Sequence, residues 1–147
     1  MSVFREKWTG QILLKDLLQE NEELARSIYF DEVTGHFPKD PNLQIQVYTG
    51  ELRPGGKTPW HAHNGTALFL VTHGNCQVER RDTGEIFEYG PGDVFFEPVG
   101  HVHRGINPTR SVYTCFGLKV TPPGLDHDTY MPHLENVPNR SFRVDPS

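Results

Sequence analysis

The chain has 147 residues, enough for one domain with a real core and too few for several. A formal charge of −5 and the lack of any Lys/Arg run argue against nucleic acid, and no apolar stretch reaches membrane-span length. Two cysteines, Cys76 and Cys115, cannot build a disulfide framework, so both are expected to be buried free thiols. The opening MSVFREKWTGQ has no apolar core of the signal-peptide kind, and a soluble, cytoplasmic protein is expected.

In chain order, Gln11 to Ile28 places Leu13, Leu14, Leu17, Leu18 and Leu24 near a 3.6-residue stripe, which predicts a short helix packed on the main body. GHFPKDPN reads as a loop from its prolines and polar residues. LQIQVYTGEL then alternates Leu43, Ile45 and Val47 with Gln44, Gln46 and Tyr48, the pattern of a strand with one apolar face. ALFLVTHG, CQVERRDTGEIFEYG, DVFFEPVG and SVYTCFGLKV follow as short extended segments. Asp82-Thr83-Gly84 and His73-Gly74-Asn75 both read as hairpin turns. Many short strands at this spacing, with 14 Gly and 12 Pro, predict an all-β sandwich or barrel. The polar, Pro-rich tail from Thr121 reads as an irregular arm.

Two segments bear on chemistry. In PWHAHNGTALFL, His61 and His63 are two apart, so on a strand both face one side. The Asn64-Gly65 pair allows a sharp bend after them, and alternation through the next strand puts Ala67, Phe69 and Val71 inward. In GDVFFEPVGHVHRGIN, Pro98-Val99-Gly100 reads as a turn that returns the chain, letting His103 approach the first two histidines. Three imidazoles suit a borderline transition ion, with Fe, Zn, Mn, Ni and Cu all admissible.

The spacings Gly55–His61–His63–Gly74 and Gly92–Pro98–Gly100–His103–Asn107 resemble the two motifs of a single-domain cupin of the conserved-barrel type, over roughly Leu43 to Val120. The resemblance implies a jelly-roll barrel, the double-stranded β-helix, over 41–122, with a helical or irregular N-terminal extension over 1–40 and a C-terminal arm over 123–147. It also implies a metal held by His61, His63 and His103. The first motif departs where such proteins usually carry Glu, because Ala67 stands there. Three readings stay open. A three-His site keeps open positions, as in some cupin dioxygenases; Glu97 reaches in as a fourth ligand; or the metal is weak or absent and the barrel only binds a ligand.

His101, two residues before His103, and Glu97 are the candidates for acid–base work, against a rim histidine and a packed carboxylate as the plainer readings. Trp60, Phe69, Phe95 and Tyr113 are candidate walls of a substrate pocket, with core packing as the plainer reading. Arg53 and Arg104 are candidate anchors for an anionic substrate, with a solvated surface role as the default. Asn107 is expected to hold a loop through its amide. The functional expectation is metal-dependent chemistry on a small molecule, an oxygenase ahead of an isomerase or lyase. The alternative is a non-catalytic ligand-binding or sensing barrel. Edge strands and the arm offer pairing surfaces, and a homodimer is expected.

Overall fold

The computed structural model describes residues 24–135. Two five-stranded antiparallel sheets face each other. The strands are β1 (Ala25–Tyr29), β2 (Gln44–Leu52), β3 (His61–His63), β4 (Thr66–His73), β5 (Cys76–Arg80), β6 (Ile86–Tyr89), β7 (Val94–Glu97), β8 (His103–Ile106), β9 (Tyr113–Thr121) and β10 (Asp128–Tyr130). One sheet has the order β1-β2-β9-β4-β7 and the other β10-β3-β8-β5-β6. From β2 onward the chain keeps crossing between the sheets, with only the β5–β6 hairpin staying in one. The result is the two-sheet, all-β architecture expected, with a single short helix, α1 (Asp31–Gly35), and a 3₁₀ turn at Pro132–Leu134 among the described residues. No helix among them is long and apolar enough to cross a membrane.

Side-chain alternation sorts each strand between barrel interior and exterior. On β4, Ala67, Phe69 and Val71 are buried while Leu68 and Leu70 are exposed. On β9, Tyr113, Cys115 and Lys119 are buried while Phe116 is exposed. Tyr48, Phe69, Phe95, Tyr113, Cys76 and Cys115 belong to one buried apolar cluster. Burial pushes the Cys76 thiol up to about 12 and raises Cys115 as well, so both are inert, free thiols.

Four expectations change. Ala25–Tyr29, the end of the predicted helix, is strand β1 paired with β2, and the sheet therefore begins well before residue 41. Ile28 and Tyr29 favour strand geometry, the edge of β2 was free to pair, and Tyr29 stacks on Tyr48 with centroids 5.7 Å apart. Of the leucine stripe, Leu24 is the turn residue just before β1, and Leu13, Leu14, Leu17 and Leu18 lie outside the described residues.

On β2, the face that enters the barrel is not the Ile45/Val47 face. Gln46, Tyr48 and Leu52 share the inward face with Lys119 and Tyr113 of β9, through the register Gln46↔Lys119 and Leu52↔Tyr113. Val47 points outward, and α1 packs on this strand and seals it. A helix on the outer face made the second apolar side of β2 possible.

His73-Gly74-Asn75 is not a hairpin, because β4 and β5 lie in different sheets; it is the crossover between them. Gly74 has φ +69°, and a Cβ there would meet the Val112 carbonyl oxygen at 2.3 Å. Asn64-Gly65 does turn the chain, but Gly65 is needed for close approach: a Cβ would lie 2.1 Å from the Val120 oxygen. Asp82-Thr83-Gly84 is the β5–β6 hairpin turn as expected.

The arm is only partly irregular. Asp128–Tyr130 forms β10 and pairs with β3, so this piece of the tail is part of the barrel wall. Residues 136–147 of the arm lie outside the described residues.

Candidate metal centre

Strand alternation on β3 turns His61 and His63 into the barrel, and β8 brings His103 directly opposite His61. All three rings are buried, and one nitrogen from each lies within 4.8 Å of the others. Each Nδ1 is committed elsewhere. His61 Nδ1–H donates to the Pro59 carbonyl at 2.8 Å, and His103 Nδ1–H donates to the His101 carbonyl at 2.9 Å. His63 Nδ1–H donates to Asp128 Oδ1 at 2.5 Å. These bonds set one tautomer and leave three bare Nε2 lone pairs.

His103 Nε2 and His63 Nε2 stand 3.1 Å apart. With both Nδ1 atoms protonated, no hydrogen lies between them, and two facing lone pairs repel unless a cation sits among them. Ligand nitrogens around one ion, each about 2.0–2.1 Å from it, are about 3 Å apart. The donor set and the outer hydrogen bonds therefore fit a divalent transition ion.

Burial, and then mutual proximity, hold the imidazoles neutral: His61 is pushed down to about 4 and His103 to about 3. Burial also lowers His63, to about 4, although the Asp128 hydrogen bond pulls the other way. Neutral imidazole is the metal-binding form.

Around the imidazoles stand three residues that sequence reasoning missed: Asp128, Tyr130 and Lys119. β10 sets Asp128 beside His63 and Tyr130 beside His61. Asp128 Oδ2 accepts from Lys119 Nζ and, at 3.1 Å, from the Tyr130 hydroxyl. Burial alone would raise the Asp128 carboxyl, but the His63 bond and the Lys119 charge hold it well below the usual carboxylate range. Lys119 had a signal in sequence: it shares parity with Tyr113 and Cys115 on a strand otherwise free of charge. Asp128 had none, since three residues in a polar tail show no period.

A cavity of about 100 Å³ opens beside the imidazoles. That is room for several waters or a ligand of a few heavy atoms. Phe69, Phe95, Tyr113 and Val78 form its apolar side, while the three histidines, Lys119, Asp128 and Tyr130 form its polar end. The Arg26–Glu51 ion pair, 3.0 Å long and partly exposed, is at its outer rim.

Trp60 does not line this cavity. One residue before His61, it faces the other side of the chain, where Arg81 and Arg104 cover its ring at 4.8 and 4.3 Å. Arg104 also pairs with Glu79 at 2.9 Å, and Arg53 is exposed beside Glu51, so neither arginine reaches the cavity. His101 is half-exposed near Asp82 and touches the site only through its carbonyl.

Glu97 is buried inside the barrel but accepts from Arg80 Nε at 3.3 Å and stands outside the three-His group. Ala67 is fully buried and does not line the cavity; its cross-strand neighbours are Glu97 on β7 and Lys119 on β9. Asn107 holds its loop as expected, its amide donating to the Leu52 and Ser111 carbonyls at 2.8 Å each.

Comparison with known proteins agrees with this geometry. Residues 48–116 match the family model described as cupin domain. A germin-like protein of Arabidopsis thaliana, subfamily 1 member 7, is 31% identical over 90 residues, covering 56% of this chain and 39% of its own. An (R)-mandelonitrile lyase of Granulicella tundricola is 36% identical over 62 residues, 42% of this chain and 47% of its own. The chain thus spans less than half the length of the curated relatives it matches. A cupin-like protein of Thermotoga maritima has the same fold, with TM-score 0.60 at 23% identity, covering 81% of this chain and 84% of that one. The domain match runs from β2 into β9 and encloses both histidine segments, so residues 48–116 carry a cupin domain, on the same two-sheet barrel as the solved cupin-like protein.

Proposed function

We propose that the chain binds one divalent transition ion through His61, His63 and His103 and uses it on a small organic molecule, by lyase- or isomerase-type chemistry. The observation that carries the reading is the convergence of three bare Nε2 atoms at the polar end of an otherwise apolar cavity. A bound ion supplies Lewis acidity and orientation there. The chain's own groups do the rest. Asp128 fixes the His63 tautomer and holds Lys119 and Tyr130 at the cavity. Burial raises the Tyr130 hydroxyl well above its usual range, so it stays a proton donor. Phe69, Phe95 and Tyr113 exclude water and receive the apolar body of the ligand.

Proton-bearing groups beside the site favour polar chemistry over the oxygenase expected from the three-His set alone, and the lyase among the relatives points the same way. The test is elemental analysis of protein purified without chelator, followed by a screen of small hydroxynitriles and hydroxy acids with and without oxygen. About one ion per chain is expected, with turnover that a chelator stops and removal of oxygen does not. A chain without metal, or turnover that needs oxygen, defeats the reading.

Glu97→Gln is expected to leave metal content unchanged, because that carboxylate serves Arg80. The cost in stability should be about 1–3 kcal/mol, the size of a buried hydrogen bond to a charged group. A fall in bound metal to half or less would make Glu97 a ligand after all.

The reading includes a homodimer. Leu68, Leu70, Val94, Phe96 and Phe116 are exposed together on the outer face of one sheet, and the register Leu68↔Phe96, Leu70↔Val94 and Leu70↔Phe116 makes them contiguous. Sedimentation should give twice 16.8 kDa, and Phe96→Asp should halve it. A wild-type mass of one chain at micromolar concentration rules the dimer out.

A further inference from the structure

We infer that Lys119 makes this cavity a site for small anions, with a carboxylate or similar oxyanion as the ligand class. The inference rests on the metal reading above and adds to it the charge of what binds.

Charge decides the matter. Three neutral imidazoles leave a bound divalent ion with its full positive charge. Ala67, buried on the inward face of β4, brings no charge of its own. Opposite it on β9 the chain places a cation, Lys119. This lysine is 5% exposed, lines the cavity with the histidines, and lies over the Tyr48 ring at 4.6 Å. Its anionic partner among the described residues, Asp128, already serves His63 and Tyr130. Glu97, the other carboxylate facing inward nearby, is paired with Arg80. The lysine–aspartate and arginine–glutamate pairs each cancel, so the charge of the ion has no protein counter-charge in a buried space. Such a space favours an anion strongly, because little water screens it.

Lys119 adds direction to this charge. An ammonium has three donors, and Asp128 Oδ2 accepts from one of them. Lys119 lines the cavity beside the histidines, within which a remaining donor can meet a ligand oxygen. Arg53 and Arg104 lie elsewhere, and Arg26 at the rim is paired with Glu51. Lys119 is therefore the cation at the polar end, and an anion with a short apolar body fits between it and the aromatic wall.

The experiment is calorimetric titration of zinc-loaded protein with acetate and with its neutral isostere acetamide, metal content being measured first. Wild type should bind acetate at least roughly tenfold more tightly than acetamide, the size of one charge-assisted hydrogen bond. Lys119→Gln keeps a donor for Asp128 and should retain metal while losing roughly tenfold or more in acetate affinity. Lys119→Arg should restore most of that loss. Equal affinity of wild type for acetate and acetamide overturns the inference without need of any variant. Unchanged acetate affinity in metal-loaded Lys119→Gln does so too. Loss of metal from Lys119→Gln would make the lysine a support for His63 and not an anion contact. A wild-type chain that takes up no zinc brings down the metal reading itself, a failure distinct from the others.

Discussion

Replacing His61, His63 or His103 by Ala is expected to abolish the proposed metal binding. Each ring supplies one of three convergent nitrogens, and two imidazoles in a buried site hold an ion far more weakly than three. The loss should exceed the roughly 10–100-fold that removal of an outer partner costs. Asp128→Asn supplies that smaller figure for comparison. It keeps the shape but weakens the bond that fixes the His63 tautomer, and it leaves Lys119 without its counter-charge. Metal content and competition with a chelator rank the variants: wild type, then Asp128→Asn, then the three alanines. An alanine variant that retains full metal would mean that the ion sits elsewhere, and an Asp128→Asn protein indistinguishable from wild type would remove Asp128 from the site.

Acid should unfold the metal-free protein in a window set by the same rings. Folded, His61 and His63 titrate at about 4 and His103 at about 3, because burial disfavours their charged forms. Unfolded, each titrates near 6.5. Between those values the unfolded chain binds more protons than the folded one, so stability falls as pH falls. It is intact above about 6.5 and is lost on the way to about 4. The slope reaches about 1.4 kcal/mol per pH unit for each ring. Three rings over that window amount to the same order as the about 5–15 kcal/mol that a native domain has in total. Asp128 titrates lower still and does not act in this range. An ion held as proposed needs the neutral rings of the folded chain, so loading should move the acid midpoint downward. Circular dichroism against pH, with and without metal, reads both effects. A midpoint below pH 4 for the metal-free protein, or one that metal does not move, would show that the rings are not buried as described.

Part of this protein is legible in its sequence. His61 and His63, two apart before a turn, and His103 after Pro98-Val99-Gly100 give a local pattern, because strand alternation and turn chemistry act over a few residues. The inward parity of Ala67, Phe69 and Val71 came from the same rule. What needed the fold were relations between distant segments. Asp128 lies 65 residues from His63 and meets it only because β10 pairs with β3. Val47 is buried on the outer side of β2 only because α1 covers it, which hid the true inward face from the alternation pattern. Ala25–Tyr29 is a strand because β2 offered an edge, a pairing partner that lies well along the chain and is not visible in the local pattern. Trp60 was drawn to the pocket by its place beside His61, yet that adjacency is what turns it away. Sequence spacing determined which imidazoles could meet. Tertiary pairing alone decided what stands around them, Lys119 and Asp128 at the polar end and Glu97 held off by Arg80, because charges are partnered by proximity in space and not along the chain.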